Sequence, residues 1–129
     1  MRRSGWTALD ISVNKRGDGQ YRLSWPLPNG TSGSFSIKPE QVASIVQRLE
    51  PYRKEAVPVT EKSMAEFVEG KPCPPDKPFT TDAGGVWVHW IGPGYNEHYL
   101  ADLGCDAERN AARNKALLTI LESFPVPQP

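Results

Sequence analysis

The fold is decided by residues 84–103, GGVWVHWIGPGYNEHYLADL, in which two extended runs flank the turn Gly92-Pro93-Gly94. Successive side chains of an extended chain point to opposite faces, and both faces of the first run, residues 86–91, are largely apolar. This pattern predicts an interior strand that is covered on both sides. The second run, residues 95–103, mostly alternates between apolar and polar and is predicted to return as the other strand of a hairpin.

A helix is predicted directly after this hairpin. Asp106 is placed to accept hydrogen bonds from the free amides of a first helical turn, and Glu108 adds negative charge near the positive end of the helix dipole. Pro125 ends the pattern. We expect an apolar stripe of the helix to pack against the sheet. The stripe consists of Leu117, Ile120, Leu121 and Phe124.

The N-terminal part of the chain predicts three further strands. Residues 7–13 alternate as a half-buried strand does, and the turn at residues 14–19 is rich in residues that tolerate positive φ. The turn predicts a hairpin into residues 21–25, with Tyr21, Leu23 and Trp25 pointing inwards, and residues 34–37 read as a third strand.

A second long helix is predicted from Pro39, a residue suited to the first helical position, up to Pro51, which is expected to stop it. Its apolar face consists of Val42, Ile45, Val46 and Leu49. After a connector, Thr60 or Ser63 is placed to cap a short helix that ends at Gly70. Residues 71–81 contain four prolines and predict an exposed crossing between the halves.

The two halves of the chain share a pattern of glycine, alternating residues and proline. Residues 19, 21, 23, 25 and 28 match residues 84, 86, 88, 90 and 93 at a constant offset of 65. The match is consistent with an internal repeat of a strand-strand-helix unit, and chance recurrence of common residues is the alternative.

The order of these elements predicts an α+β fold, because strands are followed by helices without a regular βαβ alternation. We expect an antiparallel sheet of about five strands with two or three helices on one face. The 129 residues fit one domain. Its expected parts are a strand-rich half (6–50), a connector with the short helix (51–82), a strand-strand-helix half (83–124) and a loose tail (125–129).

Polar residues interrupt the stripe of the last helix near its N-terminal end. Stepping back from Leu117 and Leu121 by three or four residues lands on amide and guanidinium side chains. The functional interpretation is a polar pocket for an anion or a carbonyl-bearing group. The structural interpretation is a set of amides bonded to backbone carbonyls, or an exposed first turn. The candidate residues are His89, His98, Asp102, Cys105, Asn110, Arg113 and Asn114.

Catalytic and metal chemistry have weak support in the sequence. Cys105 at a helix start, with His89 or His98 as base, would form a Cys-His nucleophile, but an inert buried cysteine suits the position equally. The two histidines lack a second pair of ligands, so we predict no metal and no cofactor. Whether Cys73 and Cys105 pair is left open by the sequence.

Net charge is zero, which removes the general attraction of a basic chain for nucleic acid or anionic membranes. The last strand and helix are similar in outline to the end of a double-stranded-RNA-binding domain, but Asp106 and Glu108 stand where those domains place lysines. The chain contains no apolar run of about 20 residues that would span a bilayer.

The expected location is cytoplasmic by default, because no export signal is present, or exported if a signal peptide has been removed. The sequence therefore predicts a non-enzymatic binding protein that acts through protein–protein interaction or self-association. The alternative is a small enzyme or ligand-binding protein with a polar pocket at the start of the last helix.

Overall fold

The computed structural model describes residues 1–4, 8–24, 30–69, 73–80 and 83–128. It contains three helices and antiparallel strands. The strands are β1 (Arg2–Ser4), β2 (Ala8–Val13), β3 (Asp18–Ser24), β4 (Thr31–Ser36), β5 (Val57–Pro58), β6 (Gly85–Gly92) and β7 (Tyr95–Asp102). The helices are α1 (Pro39–Arg53), α2 (Glu61–Val68) and α3 (Ala111–Glu122). The predicted α+β class is confirmed.

The strands are hydrogen-bonded in the order β4-β3-β2-β1-β6-β7-β5. Two antiparallel units of three strands, β4-β3-β2 and β6-β7-β5, are joined through β1. The expected number of about five strands is therefore wrong. The sequence did not predict β1 and β5, because strands of three and two residues are too short to show an alternating pattern.

The interior position of β6 is confirmed, since it pairs with β1 on one side and β7 on the other. Val86, Val88 and Ala101 turn to the face that carries the hydrophobic core. Two helices supply the other side of this core. Their members of this core cluster are Leu49 of α1 and Leu117, Ile120 and Leu121 of α3, followed by Phe124.

The second face of β6 and β7 meets α2, so the three helices do not all lie on one face. His98 is the register partner of His89, and both alternate with the core residues. The ring of Phe67 in α2 stacks on His98 with ring centroids 4.3 Å apart. The predicted cap of α2 is confirmed at Thr60, whose side chain accepts a hydrogen bond from the Ser63 amide. Gly70 lies outside the described residues.

Two predicted helix boundaries are wrong. Helix α1 continues through Pro51 to Arg53, because the proline removes only the bond to the Gln47 carbonyl and Gln47 is exposed. Helix α3 begins at Ala111 rather than after Asp106. Asp106 has a φ of 46°, whereas an N-cap residue needs extended dihedrals, and its amide donates to the Pro78 carbonyl.

In the β3–β4 hairpin, aromatic rings lie over glycines of the neighbouring strand. Gly19 is the register partner of Phe35, and Gly33 is the partner of Tyr21. A Cβ atom at Gly19 would lie 2.3 Å from the Phe35 ring, and one at Gly33 would lie 2.9 Å from the Tyr21 hydroxyl. The glycines thus leave room for the rings to lie across the strands. The predicted inward side chain of Trp25 and the Pro28 repeat position lie outside the described residues.

Candidate functional site

His98 is completely buried and has a partner on each ring nitrogen. The Trp87 indole N–H donates to His98 Nδ1 at 3.1 Å, and His98 Nε2 lies 2.9 Å from Ser63 Oγ. An indole nitrogen can only donate, so Nδ1 must be the acceptor and Nε2 carries the proton. His98 therefore donates from Nε2 to the Ser63 hydroxyl.

The Ser63 hydroxyl also hydrogen-bonds to the backbone of the neighbouring elements. It accepts from the Thr60 amide at 2.9 Å and donates to the Pro58 carbonyl at 2.9 Å. The chain of bonds ties α2 to β5 and β7. In the described part of the chain, no buried side-chain nitrogen or oxygen lacks a hydrogen-bond partner.

A serine beside a histidine is also the arrangement of a nucleophile and its base, but the proton here lies on the wrong atom. A base needs a free Nε2 lone pair to take the hydroxyl proton, and Trp87 reserves the lone pair of Nδ1 instead. Burial, with a smaller effect of His89, lowers the pKa of His98. This lowered pKa favours the neutral ring, and the geometry makes His98 a structural link.

A second polar cluster joins α3 to the end of β7. The Arg113 guanidinium donates to the Asp102 carbonyl at 3.1 Å and makes two bonds to Asn114 Oδ1, at 3.0 and 2.8 Å. Asn114 Nδ2 donates to the Leu103 carbonyl at 3.3 Å. These side chains hold the backbone where it leaves the sheet.

Tyr99, on the core face of β7, extends this cluster. Arg113 reaches its hydroxyl at 3.4 Å, and the Tyr52 ring of α1 stacks on Tyr99 with centroids 5.6 Å apart. Burial raises the pKa of Tyr99, although Arg113 acts in the opposite direction. Arg113 thus connects α3 with the ring pair that holds α1 to the sheet.

The two cysteines form a disulfide, Cys73–Cys105, which resolves the pairing that the sequence left open. The thiol chemistry proposed for Cys105 is not available in this state. Asn110 Nδ2 donates to the Cys105 carbonyl, and the Asp102 carboxylate accepts from the Gly104 amide. Both side chains stabilise the turn between β7 and α3.

The seven candidate residues therefore lie on two sides of the sheet. The residues from Asp102 to Asn114 gather where β7 ends and α3 begins. His98 and His89 share the other face of the sheet, where His98 contacts α2 and His89 bonds to Asn96. A cavity of about 240 Å³ next to Asp102 is smaller than the roughly 300 Å³ at which ordinary ligand pockets begin.

Within the described residues, no group of three His, Cys, Asp or Glu side chains is arranged to hold a metal ion. Over the same residues, none of the helices combines the length and apolar character needed to cross a membrane.

The outer edges of the sheet differ in what they expose. The bond from the Ile37 amide to the Gly17 carbonyl fixes the alternation of the β3–β4 ladder, so the odd residues of β4 bond to β3. The backbone groups of Ser32, Ser34 and Ser36 then point away from the sheet. At the opposite edge β5 has only two residues, and one of them is Pro58.

The edge strand β4 is a surface that the sequence did not single out. Its only signal is a six-residue run, Thr-Ser-Gly-Ser-Phe-Ser, without charge or proline.

Comparison with protein-family models, with curated proteins and with solved structures finds no match to this chain.

Proposed function

We propose that this protein is a non-enzymatic binding protein that associates with a second copy of itself by pairing β4 with β4. The observation that carries the proposal is the unprotected edge of β4. Natural sheets usually shield an edge with lysine, proline, a bulge or a very short strand. None of these devices is present between Thr31 and Ser36, and within the described residues β3 is the sole strand neighbour of β4.

An antiparallel pair centred on Ser34 satisfies the exposed backbone. Under a two-fold axis Ser34 meets its own copy, and Ser32 meets Ser36 of the other chain. All three residues have outward N–H and C=O groups by the alternation of the ladder. No like charges meet, because the strand carries none. The two sheets would then continue into one another, as in other cases of strand addition.

The experiment is a measurement of mass in solution, by light scattering after size exclusion, over a range of protein concentrations. Ser34→Pro removes one outward N–H and leaves the bonds to β3 intact, since proline is tolerated on an edge strand. We expect wild type to form a dimer that Ser34→Pro loses. The matched control, Ser34→Thr, keeps the N–H and should keep the dimer.

Three results would contradict the proposal: a wild-type monomer at every concentration, a dimer that persists in Ser34→Pro, or loss of the dimer in Ser34→Thr. A cooperative thermal unfolding transition in both variants is the control that distinguishes loss of the dimer from loss of the folded structure.

The disulfide supports a proposal about location. Disulfides persist in oxidising compartments and are rare in the cytosol of most organisms. The Cys73–Cys105 bond therefore favours an exported protein over the cytoplasmic location expected by default. Mass spectrometry of thiol-blocked protein from the native host tests this, and two free thiols would contradict it.

A further inference from the structure

Phe79, in the loop before β6, keeps its ring largely in water. The residue is 57% exposed. An exposed aromatic ring forgoes the free energy that its burial would supply, and such rings are enriched where proteins contact one another. Phe79 is therefore a candidate contact residue, and the backbone around it decides which kind of partner it suits.

The backbone on both sides of Phe79 is bonded to the turn after β7. The Asp106 amide donates to the Pro78 carbonyl at 2.8 Å, and the Thr80 amide donates to the Gly104 carbonyl at 2.9 Å. These two bonds flank an antiparallel bridge between Phe79 and its register partner in the turn. In a pair whose neighbours carry the bonds, the paired residues turn their own N–H and C=O groups away from each other. Both backbone groups of Phe79 therefore point outwards, beside its exposed ring.

The residues next to Phe79 do not extend this outward pattern into a strand. Pro78 has no N–H, and the Lys77 amide donates to the Pro74 carbonyl at 3.1 Å. A strand that joins a sheet edge needs outward groups at every second residue. Among residues 77–80, Phe79 is the one that presents both an N–H and a C=O outwards. A partner therefore meets one residue here, with its ring and its backbone, rather than the edge of a strand.

This loop is fixed in place before it meets a partner. The Cys73–Cys105 disulfide ties its start to the same turn. Gly104 lets the loop come close, because a Cβ atom at that position would overlap the Thr80 carbonyl oxygen. The turn itself is held by Asn110, whose side chain donates to the Cys105 carbonyl. A loop that is already ordered loses little conformational entropy when it binds.

We propose that this loop, which we name the Phe79 loop (residues 73–80), inhibits serine proteases of the chymotrypsin type by occupying their active site. Such enzymes bind an aromatic side chain in a hydrophobic pocket and hold the carbonyl of the same residue with backbone N–H donors. The loop must therefore offer an exposed aromatic ring and an outward carbonyl on one residue, and Phe79 has both. Phe79 precedes the peptide bond that the enzyme attacks, and Thr80 follows it.

The bonds to the turn make the loop an inhibitor rather than a substrate. Attack of the enzyme's serine hydroxyl on the Phe79 carbonyl breaks the bond to Thr80, forms an ester and moves the serine proton to the Thr80 nitrogen. The bond of this nitrogen to the Gly104 carbonyl keeps the new amine beside the ester. The amine then displaces the serine, which regains its proton, and the peptide bond is restored. Return is faster than hydrolysis because the reacting groups stay together.

The test measures how the protein affects the hydrolysis of a chromogenic peptide by chymotrypsin. Wild type should inhibit the enzyme in proportion to its concentration. Phe79→Ala should raise the inhibition constant about a hundredfold, since it removes the ring that fills the pocket. No inhibition by wild type, or undiminished inhibition by Phe79→Ala, would overturn the proposal.

A change of specificity identifies the residue that enters the pocket. Trypsin has an acidic pocket in place of the hydrophobic one, so Phe79→Lys should inhibit trypsin instead of chymotrypsin. The matched control is Ile91→Ala near the other end of β6, which truncates a residue that is 67% exposed and should inhibit chymotrypsin like wild type. Lost inhibition in Ile91→Ala, or a Phe79→Lys protein that unfolds cooperatively but inhibits neither enzyme, would be evidence against the Phe79 loop.

Electrophoresis distinguishes an inhibitor from a substrate. Hydrolysis between Phe79 and Thr80 would give residues 1–79 and 80–129, which the Cys73–Cys105 disulfide keeps in one molecule until reductant is added. We expect the intact chain to predominate on a reducing gel while the enzyme stays inhibited. Rapid conversion to the two fragments, with recovery of chymotrypsin activity, would refute the proposal. The self-association proposed for β4 can fail without affecting any of these results.

Discussion

The two halves of the sheet are held in different ways. In the half formed by β5, β6 and β7, both faces carry packed partners, with α1 and α3 on one side and α2 on the other. The edge is short and contains a proline. In the half formed by β2, β3 and β4, Leu9 and Ile11 are the buried apolar residues, and β4 is almost entirely exposed.

The two halves also differ in which of their polar groups have partners. The first of these halves contains the polar side chains that are bonded to structural partners in or beside the core, among them His98, Arg113 and Asn114. Among the described residues, the outward backbone groups of Ser32, Ser34 and Ser36 in β4 have no neighbouring strand. The half that contains the bonded polar side chains is therefore held on both faces, and the open edge of the sheet lies in the other half, at β4.

The largest loss of stability is expected from removal of the Cys73–Cys105 disulfide, which connects the loop before β6 to the turn after β7. The cysteines are 32 residues apart in sequence, and the chain-entropy model gives about 3–4 kcal/mol for closing such a loop. The double variant Cys73→Ser with Cys105→Ser should lose about this much unfolding free energy in urea titration. Reductant should lower the stability of wild type and leave the variant unchanged; a wild type that is insensitive to reductant would contradict the prediction.

Substitution of His98 is expected to cause the next largest loss of unfolding free energy. His98→Leu leaves the Trp87 N–H and the Ser63 hydroxyl without their shared partner, and we expect a loss of about 3 kcal/mol. The matched control is His89→Leu on the same face, where the ring is only half-buried and should cost less than about 1 kcal/mol. Equal losses in the two variants, measured by denaturant titration, would show that the buried network is not what holds α2.

The amides at the start of α3 should have smaller and unequal effects. Asn114→Leu removes a partner from both the Arg113 guanidinium and the Leu103 carbonyl, for an expected loss of about 2 kcal/mol. Asn110→Leu removes only the bond to the Cys105 carbonyl and should cost about 1 kcal/mol. Thermal unfolding of both variants measures the difference, and the reverse order would contradict the bond assignment.

The pH dependence tests the state of His98. Its pKa is lowered in the folded protein, so the unfolded chain binds the proton more readily. The stability that this neutral ring contributes is fully present above the ordinary pKa of 6.5 and is lost as pH falls below it. The gap in unfolding free energy between wild type and His98→Leu should therefore narrow between neutral and acidic pH. A gap that widens would mean that the ring is protonated in the folded state.

The smallest effect is expected at the open edge. Ser34→Pro removes an outward N–H and should change the unfolding free energy of the monomer by less than about 0.5 kcal/mol. Gly33→Pro removes an amide that bonds to β3 and should cost clearly more, because it breaks the ladder. Equal costs, measured at a concentration where only monomer is present, would mean that the alternation along β4 is assigned wrongly.

The sequence indicated which polar residues to consider, but not which of them lie together in the structure. The sequence marked the polar residues at positions 110, 113 and 114 on the stripe of the last helix and left open whether they line a pocket, bond to backbone or are exposed; in the structure they donate to the carbonyls of residues 105, 102 and 103. The histidines were grouped with them, although they lie on the other face. The alternation of side chains puts His89 and His98 on the same face of the sheet, but it does not predict that helix α2 covers that face.

The sequence by itself determined the elements whose signals repeat within a few residues. These are the alternating strands β2, β6 and β7, the apolar stripe of α3, the Thr60 cap and the Gly-Pro-Gly turn. Such patterns are local because side-chain direction repeats every two residues in a strand and about every 3.6 in a helix.

Only the tertiary structure decided how distant segments meet. Strands β1 and β5, the partners of His98 and the disulfide all depend on how separate segments of the chain meet. Strands β1 and β5 exist because their neighbours provide a ladder to join, and Asp106 adopts its φ of 46° where its amide meets the Pro78 carbonyl. Contacts of this kind carry no periodic signal, since each is set by the closing of the whole sheet rather than by the residues on either side of it.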